Sequence, residues 1–166
     1  ASVWGAVRPE TIRRVAREVP GVEHRIEFVR ELDGVRWYND SIGTSPSRTT
    51  ACLESFDRKV VLIAGGYDKG IPFTQLGMEI VDRVKALILT GDTASAIRSA
   101  AEQAPSFEAS GLVIREEEDL AAAVRAARET AREGDVVVLS PACAAFDQFK
   151  NFMERGQAFK RLVQAL

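Results

Sequence analysis

Hydrophobic positions change their period along this chain, and each change marks an element. Residues 9–19 carry apolar side chains at Ile12, Val15, Ala16 and Val19, a helical spacing that opens on Pro9 and stops at Pro20-Gly21. Residues 26–32 and 35–38 read as strands joined by Asp33-Gly34, a strong hairpin signal. A polar loop over 39–45 leads to Ser45-Pro46, a serine N-cap and a proline at the first position of a helix that runs to residue 56. From there strands and helices alternate. Strand 60–64 is followed by a helix within 73–84, strand 86–90, Gly91-Asp92, helix 94–103 and a short strand at 112–114. Helix 116–132 follows, with acids in its first turn and arginines later, matching the helix dipole. Gly134-Asp135 then turns into strand 136–139, a polar loop, and a last helix over 151–163.

Repeated β-α units predict an α/β fold. The expected form is a three-layer, Rossmann-like domain with a mainly parallel sheet, helices on both faces, and an antiparallel edge strand from the opening hairpin. The unbroken apolar run Val60-Val61-Leu62-Ile63-Ala64 suits a central strand covered on both sides.

Composition narrows the chemistry. At 166 residues, 46% hydrophobic and 28% charged, the chain fits one soluble globular domain. Its net charge of −2 argues against a broad nucleic-acid or anionic-membrane surface. No apolar run approaches the ~20 residues of a membrane span, and the first residues lack the pattern of a signal peptide. A cytoplasmic monomer is the expectation. Cys52 and Cys143 have no metal-type spacing and are expected to be reduced and packed. His24, the single histidine, leaves almost no material for a His-based metal site or a Ser-His-Asp triad and is expected to be structural. No metal ligand and no catalytic residue is assigned.

Three loops at the carboxyl ends of expected strands are rich in small polar residues. Asn39-Asp40-Ser41-Ile42-Gly43-Thr44-Ser45-Pro46 offers hydroxyls and a helix N-terminus to an anion, and Asp40 offers a carboxylate to hydroxyls such as those of a ribose. Gly65-Gly66-Tyr67-Asp68-Lys69-Gly70 pairs two glycines, whose amides can approach a ligand, with a mobile positive charge. Alone, that loop reads as an ordinary strand-to-helix turn. Ser140 to Phe152 is the third: its small residues allow close backbone approach, Phe146, Phe149 and Phe152 form a packing stripe, and Cys143 lacks an activating neighbour in sequence. There is no P-loop and no Gly-x-Gly-x-x-Gly after a strand.

Taken in order, these strings resemble the carboxyl-terminal domain of the Mur ligase family, in its D-glutamate-adding branch. The resemblance runs over residues 22–166: His24-Arg25-Ile26-Glu27, Asn39 to Pro46, Ala64 to Gly70, and Leu139 to Gly156. Residues 1–21 resemble only the end of the family's central ATPase domain. The resemblance implies a cytoplasmic ligase of peptidoglycan precursor synthesis whose other domains carry the P-loop, the magnesium ligands and the site for UDP-N-acetylmuramoyl-L-alanine. ATP and Mg2+ then act in the full-length enzyme, and this chain alone is expected to be inactive. It further implies that Thr44 and Lys69 hold a D-glutamate carboxylate and that the Phe152 amide meets the side-chain carboxylate. Ala145 stands where the family often has serine, and Ile42 where some relatives have lysine; each departure implies a missing contact. Arg25 is implied to reach phosphate and Asp40 ribose, while His24, Asn39, Ser140 and Lys150 are read as structural. Two other readings of the loops are a free-standing anion- or nucleotide-binding regulatory module and a plain α/β scaffold.

Overall fold

Alternation within one strand shows how the sheet is sandwiched. In the computed structural model, which describes residues 8–11 and 21–166, every residue of Val60–Ala64 is buried. Val60, Leu62 and Ala64 join one apolar cluster; Val61 and Ile63 join another on the opposite face. This is the period of two expected of a strand with no wet side.

In chain order the elements are β1 (Glu27–Leu32), β2 (Val35–Asn39), α1 (Pro46–Glu54), β3 (Val60–Ala64), α2 (Thr74–Arg83), β4 (Val84–Leu89) and α3 (Ala94–Glu102). They continue with α4 (Phe107–Ser110), β5 (Val113–Glu116), α5 (Leu120–Thr130), β6 (Val136–Leu139) and α6 (Phe152–Gln164). The six strands form one sheet in the order β1-β2-β6-β3-β4-β5. Only the β1–β2 hairpin is antiparallel, with Asp33-Gly34 as its turn; the remaining pairs are parallel. Helices α1, α2 and α3 pack on one face through residues such as Leu53, Leu76, Ile80 and Ile97. On the other face α5 and α6 pack through Ala123, Val124, Ala127, Phe159 and Val163. The expected three-layer fold is therefore present. No described helix is long and apolar enough to cross a membrane.

The structure corrects several local expectations. The helix expected over 116–132 starts at Leu120, because Val113–Glu116 extends β5 along β4 as far as the Leu89–Glu116 pair. Asp119 caps the helix by accepting from the Ala122 amide at 2.7 Å, so Glu116, Glu117 and Glu118 precede the first turn instead of filling it. Strand β4 begins at Val84, directly after α2, two residues earlier than expected. Ser45 occupies the N-cap of α1 with extended backbone but makes no capping hydrogen bond; its hydroxyl faces that of Ser47 at 3.3 Å. Of the helix expected over 9–19, residues 9–11 are helical; its remainder, like most of the 1–21 tail, lies outside the described residues.

Candidate functional site

Strand order brings the three loops together. Because β2, β6 and β3 are neighbours and parallel, the segments after Asn39, Leu139 and Ala64 leave the sheet at the same edge. After β2 and β3 the chain turns to the face of α1 and α2, and after β6 to the face of α6. Neighbouring strands whose connections depart to opposite faces leave a crevice at their carboxyl ends, the usual ligand position in open α/β sheets.

The first loop is fastened from beneath. Asp40 is 4% exposed. Its carboxylate accepts from the Ile26 amide at 3.2 Å and from the Ser140 hydroxyl at 2.7 Å. Burial raises its pKa, while those donors, the Cys52 thiol and the charge of Arg25 pull it back. Asn39 donates to Glu27 at 3.0 Å and lies 2.9 Å from His24 Nδ1, and its own carbonyl oxygen accepts from the Ser41 amide at 3.1 Å. Arg25 is exposed between His24 (φ 64°) and Ile26 (φ 45°). A left-handed β-branched residue is costly, and the Asp40 bond holds Ile26 there. Thr44, half-buried, offers its carbonyl to Lys69 Nζ, which reaches over from the second loop. The structure thus brings Thr44 and Lys69 into direct contact.

The glycine pair serves a different end from the one expected. Gly65 (φ 112°) donates its amide to the Pro141 carbonyl at 2.9 Å, and Gly66 (φ 145°) donates to Thr93 Oγ1 at 3.2 Å. A Cβ on Gly65 would lie 2.0 Å from the Thr90 carbonyl oxygen, and one on Gly66 would lie 2.4 Å from that of Ala144. Both amides are spent on the protein, and the glycines permit backbone-to-backbone packing of loops. The next amide, Tyr67, donates to Ala144 O at 3.0 Å and completes the seam.

In the third loop Ala145 is buried, and its carbonyl accepts from the amides of Gln148 and Phe149 at 3.1 and 2.8 Å. Phe152 opens α6, half-buried, with its carbonyl accepting from the Ser41 hydroxyl at 2.8 Å and its ring edge-on to His24. Phe146 is not part of an inward stripe: it is 65% exposed and stands edge-on to exposed Tyr67. Both thiols are buried, as expected. Burial raises Cys52 well above the usual thiol range and pushes Cys143 up to about 11 even though its hydrogen bond with Thr93 pulls it down.

Sequence reasoning missed Arg155. Buried on α6, it donates to Ser41 Oγ at 3.1 Å, Ser41 O at 3.0 Å, Cys143 O at 3.0 Å and Ala144 O at 3.1 Å. Burial pushes its pKa down to about 10. The available signal was Gly156 inside an amphipathic helix, a mark of close approach: a Cβ there would lie 2.3 Å from His24 Nδ1. Among the described residues, Glu23, His24 and Glu27 have metal-type spacing. The Lys160 ammonium already pairs with both carboxylates, at 2.7 Å from Glu23 and 3.0 Å from Glu27.

A mostly parallel sheet with its polar loops gathered at one carboxyl edge defines an α/β domain of Rossmann-like architecture. Residues 24–143 match the family described as Mur ligase, glutamate ligase domain, and the chain belongs to that family. It is 51% identical over 168 residues to the UDP-N-acetylmuramoylalanine--D-glutamate ligase of Acetivibrio thermocellus, covering 100% of this chain and 36% of that protein. To the ligase of the same name from Clostridium novyi it is 49% identical over 157 residues, covering 95% and 34%. The chain therefore spans about a third of the length of these curated relatives. Its fold is similar to Mycobacterium tuberculosis folylpolyglutamate synthase complexed with ADP, with a TM-score of 0.62 at 12% identity over 92% of this chain and 35% of that one.

Proposed function

We propose that this chain is the D-glutamate-binding, ATP-closing carboxyl-terminal domain of a cytoplasmic ligase. That ligase adds D-glutamate to UDP-N-acetylmuramoyl-L-alanine in peptidoglycan precursor synthesis. The observation that carries the reading is the meeting of Lys69 and Thr44 across two loops at the sheet's carboxyl edge. An ammonium beside a threonine is suited to a carboxylate, and the bond to the Thr44 carbonyl is one a carboxylate can outcompete because it adds charge. The Phe152 amide, at the start of α6, takes the second carboxylate of D-glutamate where helical amides favour negative charge. Ala145, buried in the third loop, has no hydroxyl to offer the substrate. A substrate clamped at both carboxylates has its amine fixed in direction, which is the domain's contribution to the reaction. In that reaction the amine attacks an acyl phosphate made on the UDP-sugar substrate, forming the amide and releasing phosphate.

Arg25 and Asp40 form the nucleotide side. Arg25 is exposed; Asp40 has spent acceptor positions on the Ile26 amide, the Ser140 hydroxyl and the Cys52 thiol and keeps the remainder for a ribose hydroxyl. ATP and Mg2+ act in the full-length enzyme with metal ligands elsewhere; among the described residues the one candidate cluster has both its carboxylates paired with Lys160. Residues 1–21 are the end of the preceding ATPase domain and 22–166 the domain proper. The chain lacks a P-loop and is inactive alone, and the ligase works as a monomer away from membrane and nucleic acid. Ligase relatives that match across the whole chain favour this reading over a free-standing regulatory module.

The test is Lys69→Ala in the full-length ligase. Removing a charge-assisted bond to the substrate carboxylate raises the D-glutamate KM roughly ten- to a hundredfold, with the ATP KM unchanged. Unaltered D-glutamate KM and turnover would leave the loops as plain scaffold.

A further inference from the structure

Arg155 is 4% exposed, yet among the described residues no carboxylate forms an ion pair with it. Asp147 is the acid whose charge acts on it. The two line a small internal cavity of about 10 Å³ together with Gly65, Gly66, Thr90 and Gln148. Burying an unpaired guanidinium costs several kcal/mol, and an apolar side chain of similar volume would fill the same space without that cost. All four of its hydrogen bonds run to the site loops: two to Ser41 in the first and one each to Cys143 and Ala144 in the third. The second loop is pressed against the same group, since a Cβ on Gly66 would lie 3.1 Å from its Nη1. Helix α6, which carries Arg155, opens at Phe152 one turn earlier. One planar group therefore touches every segment that bears a candidate D-glutamate contact.

We propose that Arg155 is the positioning residue that sets the spacing of the three loops for D-glutamate, without touching the substrate itself. This rests on the D-glutamate reading of the site. The guanidinium fork fixes directions as well as distances, because its donors lie in one plane. A lysine keeps the charge but has a single nitrogen, and cannot span Ser41, Cys143 and Ala144 at once. Loop spacing, not charge, is then what the substitution removes. Ser41 is the nearest junction: its hydroxyl accepts from Arg155 and donates to the Phe152 carbonyl.

The experiment compares wild type, Arg155→Lys, Arg155→Met and Ser41→Ala in the full-length ligase, measuring the KM for D-glutamate and for ATP, kcat, and the thermal midpoint. The expected result for Arg155→Lys is a D-glutamate KM raised roughly tenfold or more, with the ATP KM within about twofold. Arg155→Met behaves alike, and Ser41→Ala gives a smaller rise confined to D-glutamate. If both Arg155 variants keep the wild-type D-glutamate KM, or if both KM values rise together with lost thermal stability, the positioning role is overturned and Arg155 is a structural staple. If the Arg155 variants yield no folded protein, Ser41→Ala decides: an unchanged D-glutamate KM overturns the proposal. Thr44→Ala and Lys69→Ala run alongside. Should they leave the D-glutamate KM unchanged, the reading of the site has failed; should they raise it while the Arg155 and Ser41 variants do not, only the positioning inference has.

Discussion

Lys69 and Thr44 belong to loops that follow different strands, and their contact depends on a lysine side chain long enough to reach the Thr44 carbonyl past the edge of β6. Both are readable in the sequence because their residue types suit an anion whatever the fold. Arg155 is not readable in that way. In sequence it looks like one more cation on an amphipathic helix, and only the approach of three loops buries it. The glycine pair shows the converse: its conformational freedom was legible, but the partner turned out to be the backbone of Thr90 and Ala144, not a ligand. The thiols give a direct residue-scale test. Because burial raises both well above neutral pH, a disulfide reagent such as DTNB should modify neither Cys52 nor Cys143 in the native chain at pH 7–8, and both after denaturation. A fast-reacting native Cys143 would contradict the packing of the 140–145 loop, and a fast-reacting Cys52 that of α1.

At the scale of elements, strand and helix types follow from the apolar period, while their ends depend on tertiary partners. β5 runs on to Glu116 because β4 offers it a ladder, and α5 waits for Asp119 because that side chain supplies the cap. Asp119→Ala should therefore cost about 0.5–2 kcal/mol, read from the denaturant midpoint. A larger effect is expected within α6. Gly156 makes room for the His24 ring, which is hydrogen-bonded to Asn39 at the root of the first loop. Gly156→Ala pushes His24 out and should destabilise the fold by about 1–3 kcal/mol through overpacking. It should also shift amide resonances in the first loop, so a neutral Gly156→Ala would break the link between α6 and that loop.

The whole molecule holds the feature least visible from local pattern. Repeated β-α units predict a parallel sheet, yet nothing near residues 136–139 says that β6 inserts between β2 and β3. That insertion aligns the three loops and gives the site its walls. Fold class and the loop strings were thus legible, and strand order and the buried hub were not, since both depend on contacts remote in sequence. Stability against pH is also a property of the assembled molecule. Burial tends to raise Glu27, but the His24 amide, Lys160 and Asn39 outweigh it and hold its pKa below the ordinary value. A lowered carboxylate adds stability above its usual range and loses it as pH falls through the lowered value. Asp40, raised by burial, runs the other way: its ionisation in the fold weakens stability as pH rises through its pKa. Glu27→Gln should therefore be less stable than wild type at neutral pH, and the gap should close as pH falls well below about 4.

Whether the three loops form a pocket for D-glutamate is read from backbone amide shifts of this 166-residue chain on titration with D-glutamate, with L-glutamate as control. A D-glutamate pocket gives shifts centred on Thr44, Lys69 and Phe152, weak in affinity and specific for the D isomer. Shifts scattered away from those residues, or the same response to both isomers, would contradict it.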